Sequence, residues 1–206
     1  EKEDIPDSTI REYRQKRGFD DSDIVVVFVG GLGWRKGCFD ILEAAPKIVE
    51  ARPQVKFLLV GGDDYPGEFE NIKSQAEKNG LGDKVFLTGQ ASREEVTTYM
   101  MMSQIFLLPT YREGAPIAII EAMRASLPII TTPVGGIPDM VTDGYNGILI
   151  QPGRPDQIVE TVVRLVDDAE LRVKLGKTGL EVFNRSFSTK SAIEQLTRIY
   201  QKIEAI

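Results

Sequence analysis

Residues 24–30, IVVVFVG, constrain the fold more than any other stretch. Six apolar side chains in a row leave a strand no polar face to give to water. Such a strand is buried on both faces, as in the centre of a parallel sheet. Val55–Gly62 (VKFLLVGG) and Ile105–Leu108 (IFLL) read the same way. Val85–Gly89, Leu127–Thr131 and Gly147–Ile150 add three shorter strands. Between them the apolar period changes to that of a helix. Cys38–Val49 carries Phe39, Leu42, Ala45 and Val49 on one stripe, and Phe69–Asn79 is closed by Gly80. Ser92 with Glu95 forms a capping box that opens a helix running to Met102. Pro116 opens another. Residues 155–206 carry no strong strand signal and read as helices over 155–166, 169–184 and 188–203, the last capped by Ser188. Its stripe is Ile193, Leu196, Ile199, Tyr200 and Ile203.

Strands alternating with helices predict an α/β class: a Rossmann-like, doubly wound, parallel six-stranded sheet. Right-handed crossovers put the strand-to-helix loops at the carboxyl edge of that sheet. Residues 30–37, 61–67, 89–92, 109–116 and 132–138 therefore meet at one mouth, where open α/β folds bind ligands.

Composition removes several function classes. The 206 residues are 42% hydrophobic and 27% charged, as in a soluble globular domain, and the net charge of −6 disfavours nucleic acid as a partner. With no histidine, the chain has no histidine-ligated metal and no histidine general base. Its single cysteine, Cys38, forms no internal disulfide and fits a reducing, cytoplasmic compartment. No apolar run approaches the roughly 18 residues of a membrane span, and no signal peptide is visible. The polar start, EKEDIPDSTIREYRQKRG, lacks an initiator Met and suggests an excised domain or processed fragment. Residues 1–20 read as a linker with a short helix, capped by Asp7 or Ser8 and ending near Gly18. Residues 21–187 form the ligand-binding domain, and 188–206 a terminal helix.

Two loops at the mouth carry candidate chemistry. In Gly30–Gly37 (GGLGWRKG), Gly31 and Gly33 allow backbone N–H groups to approach an anion. A helix amino end follows, and Arg35 and Lys36 add positive charge. That suits a diphosphate; the alternative is a tight turn with a solvated Arg–Lys pair. The loop lacks the phosphate-loop pattern and the dinucleotide fingerprint. In Tyr111–Met123, the N–H groups of Gly114, Ala115 and Ile117 lie free at a helix start, and Pro116 has none to offer. Glu113 reaches outward to sugar hydroxyls. Glu121 sits inside an apolar run and calls for a partner such as a ribose diol; the alternatives are a structural salt bridge or an exposed polar face. Gly135–Gly136 is a turn or a lining of the cleft. Asp139 meets substrate or caps a short helix. Asp63 and Asp64 lack a third metal ligand and read as solvated loop residues, and Arg112 as a surface charge.

These motifs resemble those of the retaining GT-B glycosyltransferases of family 4, the glycosyl transferases group 1, in their carboxyl-terminal, donor-binding domain. The G-x-L-x-x-x-K-G segment is Gly30–Gly37, ending on Lys36-Gly37, and the E-x7-E signature runs from Glu113 to Glu121. Thr132–Val141 matches T-x-x-G-G-x-P-x-x-V, Asp143–Leu149 matches D-G-x-N-G-x-L, and the closing helix carries Tyr200. The resemblance implies that Lys36 contacts a donor diphosphate, helped by backbone groups of Ala115–Ile117. It implies that Glu113 holds the donor hexose near the reacting carbon and that Glu121 binds the ribose. Gly61–Asp64, Gly62 among them, and the turn after Gly89, at Gln90, would lie near the nucleoside. The implied reaction moves a hexosyl group from a nucleoside diphosphate sugar, with retention, to a glycan or lipid-linked acceptor. No cofactor and no essential metal are implied. The acceptor-binding, amino-terminal domain is absent from these residues, so the implied enzyme is inactive as this half alone. The terminal helix would pack on that missing domain, and the whole protein is cytoplasmic or membrane-peripheral.

Three positions depart from the family pattern: Gly31 replaces its usual Arg, Asp139 its Glu, and Ser126 its Gly. Loss of the Arg leaves Arg35 as a substitute for the missing phosphate contact. Two other readings stand beside the transferase: a sugar-nucleotide epimerase on the same scaffold, and a non-catalytic domain that binds a nucleotide sugar or a partner.

Overall fold

A computed structural model describes residues 5–204, with the side chains of Gln195, Ile199 and residues 202–204 excepted. The chain runs α1 (Asp7–Lys16), β1 (Ile24–Val29), α2 (Cys38–Ala51), β2 (Val55–Val60), α3 (Glu68–Lys78), β3 (Val85–Leu87) and α4 (Arg93–Met101). It continues through β4 (Ile105–Leu108), α5 (Ile117–Arg124), β5 (Ile129–Thr131), β6 (Ile148–Leu149), α6 (Pro155–Asp167), α7 (Ala169–Val182) and α8 (Thr189–Glu204). Single 3₁₀ turns stand at Trp34–Lys36 and Ile137–Asp139.

The six strands are all parallel, in the order β3-β2-β1-β4-β5-β6. This is the order of the doubly wound dinucleotide-binding sheet, with its switch point between β1 and β4. The expected continuous burial is there: Val25–Phe28, Phe57–Val60 and Ile105–Leu108 are closed to solvent. Helices α3, α2 and α6 pack in succession, as do α1, α4, α5 and α7, and the two groups meet where α6 contacts α7. The reversal of winding at β1/β4 sends the two groups to opposite faces.

Some boundaries differ from the sequence reading. The third, fifth and sixth strands pair over fewer residues than their apolar runs, over Val85–Leu87, Ile129–Thr131 and Ile148–Leu149. Helix α1 begins at Asp7 after Pro6, with no side-chain cap, so neither Asp7 nor Ser8 caps it. Helix α5 begins one residue after Pro116, whose carbonyl accepts from Ile119. The helix expected to end at residue 184 widens into a π turn over Phe183–Phe187 before α8. Ser92 and Glu95 form the expected capping box, and Ser188 Oγ accepts from the Ser191 N–H. In α8, Ile193, Leu196 and Tyr200 are exposed; Ile199 and Ile203 fall outside the described side chains.

Arg14 was not singled out in the sequence. It lies 7% exposed under the sheet's amino edge and donates to the carbonyls of Met102 (2.8 Å), Asp20 (2.5 Å) and Asp23 (2.9 Å). These bonds tie α1 to the ends of α4 and the entry to β1.

Candidate functional site

The loops at the carboxyl edge are stitched to one another. The Leu32 N–H donates to Gly62 O (2.7 Å), the Asp64 N–H to Leu32 O (2.9 Å) and the Gly61 N–H to Gly89 O (3.1 Å), which joins the β1, β2 and β3 loops. The carbonyl of Arg35 accepts from the Tyr111 N–H (2.9 Å) and from Thr110 Oγ1 (3.1 Å), which joins the β1 and β4 loops. The Gly136 N–H donates to Gly114 O (2.7 Å) and Thr132 Oγ1 to Thr110 O (2.6 Å), which adds the β5 loop. Gly37 allows a close approach of the β1 and β4 loops: at φ 77°, a Cβ there would stand 2.1 Å from the Pro109 carbonyl oxygen. Only glycine fits both the left-handed backbone and that contact.

This stitching brings Lys36 and Glu113 together. Lys36 Nζ donates to Glu113 Oε1 across the β1/β4 switch point, and the two side chains are 16% and 10% exposed. Pro116 precedes α5, and the N–H groups of Gly114, Ala115, Ile117 and Ala118 meet no acceptor among the described residues. A helix start with free N–H groups is therefore present at this edge.

The first loop is less open to an anion than its glycines suggest. Gly33 is buried, its N–H donates to Cys38 Sγ (3.4 Å), and a Cβ on it would meet Glu68. Gly33 makes room for a carboxylate, not for phosphate. Burial pushes the Cys38 thiol up to about 12, so it stays protonated and inert. Asp63 is exposed, as expected of a solvated loop residue, whereas Asp64 is largely covered. Asp63 accepts from the Gly67 and Phe69 N–H groups at the start of α3 (3.2 and 2.5 Å). Asp64 holds Arg35 bidentately at 2.9 and 2.5 Å, and this hydrogen-bonded guanidinium keeps its carboxyl below the usual range. Arg35 is thus tied down beside the β1 loop. Both cations of that loop carry a carboxylate partner of their own. Neither pairing was legible in sequence, since each joins loops separated by tens of residues.

Gly31, Gly62 and Gln90 line one open cleft of ≈ 740 Å³ above β1, β2 and β3, together with Gly61, Ala91 and Val96. Glu121 does not open onto it. With Arg93 and Arg124 it lines a neighbouring groove of ≈ 1110 Å³ between α5 and the segment after α7. Its carboxylate accepts no hydrogen bond among the described residues. Burial raises its pKa, against the opposing charges of Arg93 and Arg124. The structural salt bridge considered for Glu121 is therefore not hydrogen-bonded there. Among the described residues, no group of three or more His, Cys, Asp and Glu could hold a metal.

The strand order and the loops converging on its switch point define a doubly wound α/β domain of the GT-B kind. The chain belongs to the glycosyl transferases group 1 family, whose model matches residues 9–182. It is 34% identical over 174 residues to the lipopolysaccharide glucosyltransferase WaaG of Escherichia coli, covering 83% of this chain and 44% of that protein. It is 29% identical over 192 residues to the alpha-D-kanosaminyltransferase of Streptomyces kanamyceticus, covering 93% and 49%. The crystal structure of WaaG superposes with a TM-score of 0.76 at 29% identity, covering 90% of this chain and 49% of that one. Anabaena HepE, in complex with UDP-glucose, superposes with a TM-score of 0.84 at 22% identity over 96% and 54%. The chain spans about half the length of the relatives it matches.

Proposed function

We propose that this chain is the donor-binding half of a retaining glycosyltransferase that moves a hexosyl group from a nucleoside diphosphate sugar to a glycan or lipid-linked acceptor. The observation that carries this is the meeting of Lys36 and Glu113 beside the free N–H groups of the α5 start. In this reading the nucleoside occupies the cleft at Gly31, Gly62 and Gln90. The diphosphate takes the Lys36 ammonium and the N–H groups of Gly114, Ala115 and Ile117, with Pro116 fixing the turn. Glu113, freed from Lys36, takes the hexose hydroxyls. Glu121 takes the ribose from the adjoining groove, where a diol supplies the two donors its carboxylate lacks. As the glycosidic bond breaks, Lys36 and the helix start stabilise the charge that develops on the leaving diphosphate. HepE was solved with UDP-glucose bound, and WaaG is named a glucosyltransferase; both support this assignment.

The acceptor side lies in an amino-terminal half. A carboxyl-terminal domain of a group 1 family protein from Francisella tularensis superposes at a TM-score of 0.76 and 21% identity, and this chain covers 92% of it. That likeness supports residues 21–187 as the corresponding half. The exposed Ile193, Leu196 and Tyr200 of α8 then pack on the amino-terminal half. We place the whole protein in the cytoplasm, peripheral to a membrane if its acceptor is lipid-linked; no helix among the described residues is long and apolar enough to cross one.

Calorimetric titration of the full-length protein with UDP-glucose and GDP-mannose tests the site. Lys36→Ala and Glu121→Ala should each weaken the bound donor at least tenfold while the fold survives. Parent-like binding by both variants refutes the assignment. One observation favours a non-catalytic binding domain instead: Arg35 and Lys36 are both already paired, and position 31 offers no further cation. Measurable turnover by the full-length protein excludes it.

A further inference from the structure

The one buried side-chain oxygen without a hydrogen-bond partner, among the described residues, is Asp40 Oδ2. Asp40 stands in the first turn of α2, four residues after Lys36. Its other oxygen, Oδ1, accepts from the Tyr111 hydroxyl at 3.1 Å. Burial holds the Asp40 pKa above the usual range, and the Tyr111 bond opposes that shift. A half-satisfied buried carboxylate is a destabilising choice that an apolar residue would avoid. The donor role of Lys36 and Glu113 does not use it.

Tyr111 connects this carboxylate to the site. It lies two residues before Glu113. Its N–H binds the Arg35 carbonyl, its ring packs at a tilt against Trp34 (6.4 Å between centroids), and its hydroxyl sits between Asp40 and the turn at Gly153. Lys36 is held separately. The turn that carries it closes on itself through the Lys36 and Cys38 N–H groups on Gly33 O and the Gly37 N–H on Trp34 O. Glu113 instead follows a small turn centred on Tyr111, in which the Arg112 N–H donates to Thr110 Oγ1 (3.4 Å). Between that turn and the Gly136-to-Gly114 bond, the backbone of Glu113 makes no hydrogen bond to another backbone group among the described residues.

We propose that Asp40 and Tyr111 are a positioning pair that aims Glu113, and only secondarily Lys36, into the site. The inference rests on the donor-site reading above, in which Glu113 meets the sugar and Lys36 the diphosphate. Removing the pair should therefore weaken recognition of the sugar more than recognition of the diphosphate.

The test is titration calorimetry of the full-length protein with UDP-glucose and GDP-mannose against UDP and GDP. Tyr111→Phe should raise the dissociation constant of the sugar nucleotide about fivefold, the worth of one buried hydrogen bond, and leave that of the matching diphosphate within twofold. Asp40→Ala should do the same, and the double variant should be no worse than either single one. Asp40→Asn keeps an acceptor for Tyr111 and should bind like the parent. A merely structural role lowers the melting temperature without changing the ratio of the two constants. An unchanged ratio in both Tyr111→Phe and Asp40→Ala overturns the proposal while the donor site stands. A parent that binds none of the four ligands overturns the donor site, and the positioning role with it.

Discussion

Gly135 offers a quantitative test of what holds the Glu113 loop. Its φ is +56°, and a Cβ built on it would lie 1.7 Å from the Glu113 carbonyl oxygen and 2.8 Å from the carbonyl carbon. Backbone cannot swing aside as a side chain can, so the loop must back away by about 2 Å to restore an ordinary contact. Gly144 is a matched control: its φ is +69° and nothing lies within 4 Å of its Cβ position. Both Gly→Ala changes bear the left-handed backbone term, about 1–2 kcal/mol. Gly135→Ala adds overpacking of about 1–3 kcal/mol. For a domain of this size that difference is a further fall in melting temperature of about 2–12 °C. Thermal melts by circular dichroism on the two variants measure it directly. Donor titration should show Gly135→Ala weakened and Gly144→Ala unchanged, because only the former displaces Glu113. If the two variants melt together and bind alike, the Gly135–Glu113 contact does not set the loop.

Three further outcomes follow from buried or strained groups. Ser126 takes φ +59° just past the Ala125 cap of α5, with the Leu127 N–H on Ala122 O and the Ser126 N–H on Met123 O, so Ser126→Gly should stabilise by up to about 1 kcal/mol in a chemical denaturation curve. Arg14→Ala removes three hydrogen bonds at once, leaves the Asp23 carbonyl without its donor, and should cost about 2–4 kcal/mol in the same measurement, with α1 detached. Glu121 has a raised pKa, so the folded state holds its proton more tightly than the unfolded one, and its contribution to stability falls as pH rises through the folded value. Glu121→Gln should therefore melt higher than the parent at neutral pH, with the gain fading as pH drops to about 4, while donor binding weakens. A gain that is independent of pH would refute the desolvation account.

The strands were legible because each two-sided burial demands a continuous apolar run; Ile24–Val29 and Ile105–Leu108 satisfy it throughout, and Val55–Val60 apart from Lys56 near its start. The capping box at Ser92 and the cap at Ser188 were legible because their partners lie three residues away. Strand ends were not: β3 stops pairing at Leu87 although β2 runs on to Val60, and β6 stops opposite Thr131 where β5 ends, a property of the sheet and not of the segment. The converging loops followed from topology, which made Lys36 and Glu113 neighbours in expectation. Their direct ion pair, the Arg35–Asp64 fork and the Asp40–Tyr111 bond did not follow, because each is a contact between loops whose side-chain directions only tertiary packing fixes. The same holds for Arg14, whose three carbonyl partners leave no trace as charged residues. Ser126, noted in the sequence only as a departure from glycine, turns out to occupy a backbone conformation that glycine adopts more cheaply.

The adjacency of β1 and β4 has a consequence for the order in which the molecule comes into being. Lys36 and Glu113 are separated by 77 positions in the chain, so their meeting is among the long-range contacts whose closure slows folding. During synthesis, β1, α2 and β2 leave the ribosome while β4 is still unmade, and one long edge of β1 waits unpaired. An edge so apolar is a liability for a nascent chain. Synthesis must therefore pass residue 108 before that edge is covered, and residue 113 before the ammonium of Lys36 meets a carboxylate.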